Sequence, residues 1–254
     1  MIDVNVSLFH WPFRRLPHDT TDQIVKKLKA AGVTCAWVGS FEAILHEDAD
    51  GVNRRLAAEC QQNNDGFLIP FGCVNPTLPD WKEDVRRCQE NYKMPGLRLH
   101  PNYHGYALDS ELFAELVAEC HQRELIVQIS LRMEDVRTQH PLVQVPDVDV
   151  KPLLELLPKF PGVKIVLLNS QRSLRGPLAT QLTEAGDVYY DFAMLEGIGG
   201  VGKFIEGVPY QRVLFGSHFP FFYFESSQLK LKESDLGETI RAAIATGNAE
   251  KLTF

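Results

Sequence analysis

Residues 96–131 read GLRLHPNYHGYALDSELFAELVAECHQRELIVQISL, and the order of patterns in this stretch decides the fold. Gly96 to His100 is a short β-rich run stopped by Pro101. Asp109 then caps a helix in which Leu112, Phe113, Leu116 and Val117 recur at helical spacing. Leu125 to Leu131 follows as a nearly continuous apolar run. Strands of this kind, separated by a helix, are expected to lie parallel and to be covered on both faces.

Working outward, the same alternation fills the chain. Strands are expected at 2–8, 33–38, 67–74, 163–168, 188–192 and 213–215. Helices are expected from Thr20 or Thr21 to Ala31, closed by Gly32, and at 52–64, 80–90, 150–157, 174–185 and 236–245. A loop at 132–149 holds Pro141 and Pro146, and its length marks it as a lid or mouth loop. A Gly-rich turn spans 197–202. Eight strand–helix units in 254 residues fit an α/β fold of the (β/α)8 TIM-barrel type. No linker or composition shift divides residues 1–254, so one domain is expected. A doubly wound open sheet is the alternative, but no G-x-G-x-x-G follows the first strand.

Composition narrows the function. Lys and Arg number 26 against 33 Asp and Glu, a formal charge of −7. That balance argues against nucleic-acid binding, which needs a basic face. No apolar run approaches the roughly 20 residues that span a bilayer, and the N-terminus has no secretory pattern. The five cysteines show neither zinc nor redox spacing. Reduced, mostly buried thiols in a cytoplasmic protein are the simplest expectation.

In a barrel the chemistry sits at the carboxyl ends of the strands. Alternation along the first strand puts Asp3, Asn5 and Ser7 on one face, expected to line the lumen, with Val4 and Val6 toward the helices. Arg98 and His100 share a face of the fourth strand. Gln128, Ser130 and then Arg132 close the fifth, Asn169 the sixth, Asp191 the seventh, and Ser217 and His218 the eighth.

Four motifs resemble the amidohydrolase-related family of barrel hydrolases, decarboxylases and lactonases, which are usually metal-dependent. They are Ile2-Asp3-Val4-Asn5-Val6-Ser7, Gly96-Leu97-Arg98-Leu99-His100-Pro101, Arg212-Val213-Leu214-Phe215-Gly216-Ser217-His218-Phe219-Pro220 and Gly247-Asn248-Ala249-Glu250-Lys251-Leu252. The resemblance implies a His-x-His metal pair at positions held here by Asn5 and Ser7. It implies further histidines at Ser130 and Asn169, and an aspartate at His218. The strand-four motif is kept. A catalytic zinc needs about three strong ligands and an open position. Asn and Ser are weak neutral ligands, so no cofactor is expected. A zinc or other divalent site rebuilt around His100 and His218 is the alternative.

Each candidate has two readings. Asn5, Ser7, Ser130 and Asn169 either bond one another and water or hold a polar substrate. Arg98 pairs with Asp3 or Asp191, or with a substrate carboxylate. His100 is a satisfied core histidine or a general acid/base. His218 is structural or a base. Asp191 orients His218, pairs with Arg98 or supports packing. Arg132, Glu134 and Arg172 are solvated charges, or join Arg98 in a local positive field. His10, Trp11, Phe13, Arg14 and Arg15 form a loop that covers a ligand, packs on Phe219 and Phe221–Phe224, or makes a subunit contact. Tyr103 and His104 are spare candidates; His18, His46, His121 and His140 read as loop or surface residues.

Three functions compete. The first is a metal-independent hydrolase of a lactone, ester or cyclic amide bearing a carboxylate, using catalytic His218, His100 and Asp191 and the binding residues Arg98, Asn5, Ser7, Ser130, Asn169, Arg132 and Trp11. The second is a silent barrel that binds a metabolite or protein partner. The third is a hydrolase or decarboxylase with a rebuilt metal site. Expected partners are a small anionic or polar substrate and, through the aromatic loops, a second copy of the chain.

Overall fold

The computed structural model describes residues 1–63, 66–170, 174 and 177–253. Eight strands run in parallel: β1 Ile2–Leu8, β2 Cys35–Ser40, β3 Leu68–Pro70, β4 Gly96–Leu99, β5 Ile126–Ser130, β6 Ile165–Leu168, β7 Val188–Asp191 and β8 Val213–Leu214. They form one run of three neighbours, β1-β2-β3, and one of five, β4 to β8. Backbone hydrogen bonds join the two runs at both seams. Gly72 N–H donates to Gly96 O at 3.1 Å, and Arg98 N–H to Gly72 O at 2.6 Å. On the other side Val4 N–H donates to Phe215 O and Ser7 N–H to Phe219 O, each at 2.9 Å. The ring is therefore a closed (β/α)8 barrel.

Two apolar clusters follow from strand alternation. Leu97, Leu99, Val127, Ile129, Ile165, Leu167, Val213 and Phe215 pack outward against Ile24, Leu28, Val85, Phe113, Leu116 and Leu182 of the surrounding helices. The intervening residues Trp37, Ile126, Val166, Leu168 and Leu214 join Phe71 in an inner cluster that fills the lower lumen. Burying both faces of each strand supplies the main driving force for folding.

Strand one departs from simple alternation. Its pairing with β2 shifts register between Asp3 and Val6. This bulge adds one residue, so side chains before and after it swap faces. Ile2 and Val4 belong to the inner cluster, whereas Val6 and Leu8 belong to the outer one. The expectation that Val4 and Val6 share a face, with Asp3 beside Asn5 and Ser7, is thus corrected. Asp3 bonds instead to Ser217 beside the β8–β1 seam, accepting from its N–H at 3.0 Å and from its hydroxyl.

Helix boundaries moved where capping chemistry differed from expectation. Thr20 caps the first helix, Thr21–Ala30. Ser110, not Asp109, caps Glu111–Gln122, its hydroxyl accepting from Phe113 N–H at 3.2 Å. The expected third strand shrinks to three residues plus the bridge at Gly72. The expected 174–185 helix spans Leu178–Ala185. Among the described residues, no helix is long and apolar enough to cross a membrane.

Candidate active site

Above the apolar floor lies a charged layer. Arg98 reaches into the lumen beside Gly39, where an added Cβ would stand 2.8 Å from the arginine Cδ. Arg98 Nε donates to Gln128 Oε1 at 2.8 Å, Nη1 to Val6 O at 2.6 Å, and Nη2 to Val4 O and Trp37 O at 3.1 Å. Gln128 is itself fixed by donating to Val4 O at 2.9 Å. Neither Asp3 nor Asp191 bonds the guanidinium. The expected pairing of Arg98 with Asp3 or Asp191 is corrected accordingly: the guanidinium ties strands one, two, four and five together from inside. Burial pushes it down to about 10, partly opposed by Asp3 and Asp191, so it stays a cation at neutral pH.

At the strand ends a hydrogen-bond chain runs in one direction. Asn5 Nδ2 donates to Asp191 Oδ2 at 2.6 Å and to Asn169 Oδ1 at 2.9 Å. Asn169 Nδ2 donates to Arg132 O at 2.7 Å and faces His218 Nδ1 at 3.4 Å. His218 Nε2 lies 2.7 Å from Met133 O. A carbonyl only accepts, so Nε2 carries the proton and Nδ1 the lone pair. Both Asn169 and His218 sit in the left-handed region, at φ 59° and 57°. Non-glycine residues held there point to a positional demand on their side chains. Gly216 makes room for the chain, since an added Cβ would meet Asp191 Cβ and Oδ2 at 2.7 Å. Asp191 orients His218 only through Asn169, whose backbone N–H it also accepts at 2.9 Å.

Burial sets the protonation states. Asp191 is raised to about 6 by desolvation, against hydrogen bonds from Asn5 and Asn169. Asp3 is raised to about 7 for the same reason. His218 is lowered to about 4. His100 is lowered well below the usual histidine range by burial, with His104, Arg98 and His218 adding repulsion. Both imidazoles are neutral at physiological pH. His100 Nδ1 is buried and has no hydrogen-bond partner among the described residues.

The mouth is covered. Trp11 packs edge-on against Phe13, Phe41, Tyr103 and Phe221, with centroids 4.9–6.4 Å apart. Met133 and Ile44 complete this cluster, and Phe221 stacks on His218 at 5.0 Å. The expected packing of the first loop on the eighth is therefore present. Arg14 pairs with Glu134 at 2.6 Å, and Arg132 pairs with Asp147. These pairings offset the charge of Arg14 and Arg132 in the expected positive field, whereas Arg98 has no carboxylate partner. Arg172 lies outside the described residues. Ser7 is buried beside Asn5, and Ser130 donates to Met133 Sδ at 3.2 Å. Met133 itself carried no signal in the sequence: nothing in a lone methionine marks a backbone carbonyl as a ligand for His218.

These groups do not fit a divalent cation. The amide nitrogens of Asn5 and Asn169 direct N–H groups, not lone pairs, at their neighbours. Both oxygens of Asp191, Oδ1 of Asn169 and Nδ1 of His218 are already accepting. Among the described residues, no three His, Cys, Asp or Glu side chains gather as a metal-binding group.

A family profile described as Amidohydrolase matches residues 14–253. The 5-carboxyvanillate decarboxylase of Sphingomonas paucimobilis superposes with a TM-score of 0.78 at 13% identity, covering 100% of this chain and 98% of that one. A dihydroxybenzoic acid decarboxylase from Polaromonas, with bound manganese and an inhibitor, gives 0.75 at 14%, covering 99% and 96%. A probable 2-pyrone-4,6-dicarboxylic acid hydrolase from Acinetobacter baumannii gives 0.68 at 15%, covering 99% and 98%. At such identities the likeness fixes the fold alone. No curated protein sequence matches the chain.

Proposed function

The chain belongs to the amidohydrolase family, and from that premise we propose that it is a metal-independent hydrolase of a small lactone, ester or cyclic amide. One observation carries the reading. Two buried N–H donors, Asn169 Nδ2 and His218 Nε2, each hold a carbonyl oxygen at 2.7 Å. Donors at that distance suit an oxygen that gains charge as a carbonyl is attacked.

In this reading a substrate carbonyl replaces Met133 O on His218. Water adds to the carbonyl carbon and gives its proton to His100, whose ring burial keeps neutral and whose buried Nδ1 has no other partner among the described residues. The negative oxygen is stabilised by the His218 N–H, while the Asn169 amide, which holds a different carbonyl, binds a second acceptor on the substrate. Collapse breaks the bond to the leaving group, which takes the proton from His100. Asn5 and Asp191 hold Asn169 in place, while Ser7, Ser130 and Trp11 border the cleft. Removing a positioned base costs about 10²–10⁴ in rate. Hydrolysis of a lactone, ester and cyclic-amide panel in EDTA tests this. The expected result is turnover that His100→Gln and His218→Gln each reduce at least a hundredfold. Turnover that survives both substitutions, or that EDTA abolishes and a metal restores, would overturn the reading.

A second reading, a barrel that binds a metabolite or protein partner without chemistry, is favoured by Trp11, which is only 4% exposed among the aromatic residues of the mouth. Tyr223, 77% exposed after β8, would then offer contact to a partner or a second copy.

A further inference from the structure

Residues 131–134 follow β5; Leu131 still packs in the outer cluster, and from Arg132 onward the backbone turns inward to occupy the mouth. Arg132 O accepts from Asn169 and Met133 O from His218, both at 2.7 Å. The Met133 sulfur accepts from Ser130, and its side chain is buried against Trp11, Phe41 and Ile44. Ser130, Asn169 and His218, at the ends of β5, β6 and β8, are thus each bonded to one piece of the chain's own loop. What that piece offers them is specific: two carbonyl oxygens of consecutive residues, a few bonds apart.

The fit is incomplete. Trp11 Nε1 and His100 Nδ1 are both buried and lack partners among the described residues. Native interiors rarely leave such atoms unpaired. A ligand with its own polar atoms has an advantage over the loop there.

The segment is also fastened from the solvent side. Arg14 Nη1 pairs with Glu134 Oε2 at 2.6 Å, with Arg14 42% exposed and Glu134 3% exposed. Arg14 lies over the Phe221 ring at 4.9 Å, and Phe13 stacks on His140 at 5.6 Å. These contacts link the first and fifth strand-end loops across the mouth.

We propose that residues 131–134 are a displaceable internal occupant, and that the ligand which displaces them is a small molecule carrying two oxygen acceptors, such as a carboxylate beside a carbonyl. One acceptor binds Asn169 and the other His218. The Arg14–Glu134 pair sets how readily the exchange occurs. This rests on the hydrolase reading in taking the mouth as the site, but its test needs no turnover.

The test is amide hydrogen exchange by mass spectrometry on the full chain, with malonate as the two-carboxylate probe and acetate as the one-carboxylate control. Arg14→Met and Glu134→Gln are compared with the unaltered protein. Malonate is expected to speed exchange in peptides covering 131–146 and to bind more tightly than acetate. A partly exposed ion pair corresponds to about fivefold in affinity, so each variant is expected to bind malonate about fivefold more tightly. Using two variants keeps the test open should one fold poorly. Exchange at 131–146 that stays unchanged or slows with malonate bound, no malonate binding by any of the three proteins, or equal affinity across them would overturn the proposal. A chain that passes and hydrolyses nothing refutes the hydrolase reading alone. One that hydrolyses an ester with 131–134 immobile refutes this proposal alone.

Discussion

Asn5 Nδ2 lies 2.6 Å from Asp191 Oδ2, deep in the lumen between the middle of strand one and the end of strand seven. An amide hydrogen here meets a buried carboxylate that would otherwise be left short of a partner. The contact makes the upper lumen a closed network of neutral donors and acceptors around one acid.

Asn5→Ala removes this donor and also frees Asn169 Oδ1. Leaving buried polar groups unpaired costs about 1–3 kcal/mol each, and more when the group is charged. A loss of about 2–5 kcal/mol is expected, measured by urea denaturation at pH 7. Asn5→Asp is expected to be worse, because it sets two carboxylates against each other.

Arg98→Lys tests whether the guanidinium is structural. A lysine cannot reproduce a fork that reaches Gln128 and the carbonyls of Val4, Val6 and Trp37 at once. Stability is expected to fall by about 3–5 kcal/mol, the scale for disrupting a buried charge network. A variant as stable as the parent would show that those contacts carry little.

Two glycines stand where the lumen has no space. Gly39→Ala would press on Arg98 and Gly216→Ala on Asp191. Overpacking of this kind costs about 1–3 kcal/mol. Both variants should unfold at lower denaturant with an unchanged slope of free energy against denaturant.

The buried acids and His218 give opposite pH dependences. Asp3 and Asp191 are raised, to about 7 and about 6, so the folded state holds their protons more tightly than the unfolded chain. Their contribution is present below about pH 4 and is lost as pH rises through 6 and 7. His218 is lowered to about 4, so its contribution is present above pH 6.5 and is lost as pH falls toward 4. Asp3→Asn should remove part of the alkaline-side loss between pH 4 and 7, a slope of up to about 1.4 kcal/mol per pH unit. Unfolding free energies across that range check it, and an unchanged slope would contradict it.

Much of the barrel was legible because each strand is a buried apolar run followed by a helical pattern, and both signals are local. The family was legible in Gly96–Pro101 and Arg212–Pro220, whose order matches the strand ends that carry chemistry. The face assignment on strand one failed at Asp3 and Val4 because a bulge adds a residue without a mark in the sequence. Asn5, Asn169, Asp191 and His218 are legible as candidates, but their direction of donation is not. It depends on which carbonyl meets His218, and that carbonyl belongs to Met133, 85 residues away. Arg98 meets Gln128 and three carbonyls where an acid is expected, because inward carbonyls are invisible in a sequence.

Asn5 and Asn169 turn amide N–H groups on their neighbours in the upper lumen, an arrangement that does not suit a divalent cation. Elemental analysis after incubation with excess zinc or manganese, followed by desalting without chelator, tests it most directly. Well under one-tenth of an ion per chain and no rise in melting temperature with either metal are expected. One tightly retained ion per chain, lost when Asn5 or His218 is replaced, would contradict it.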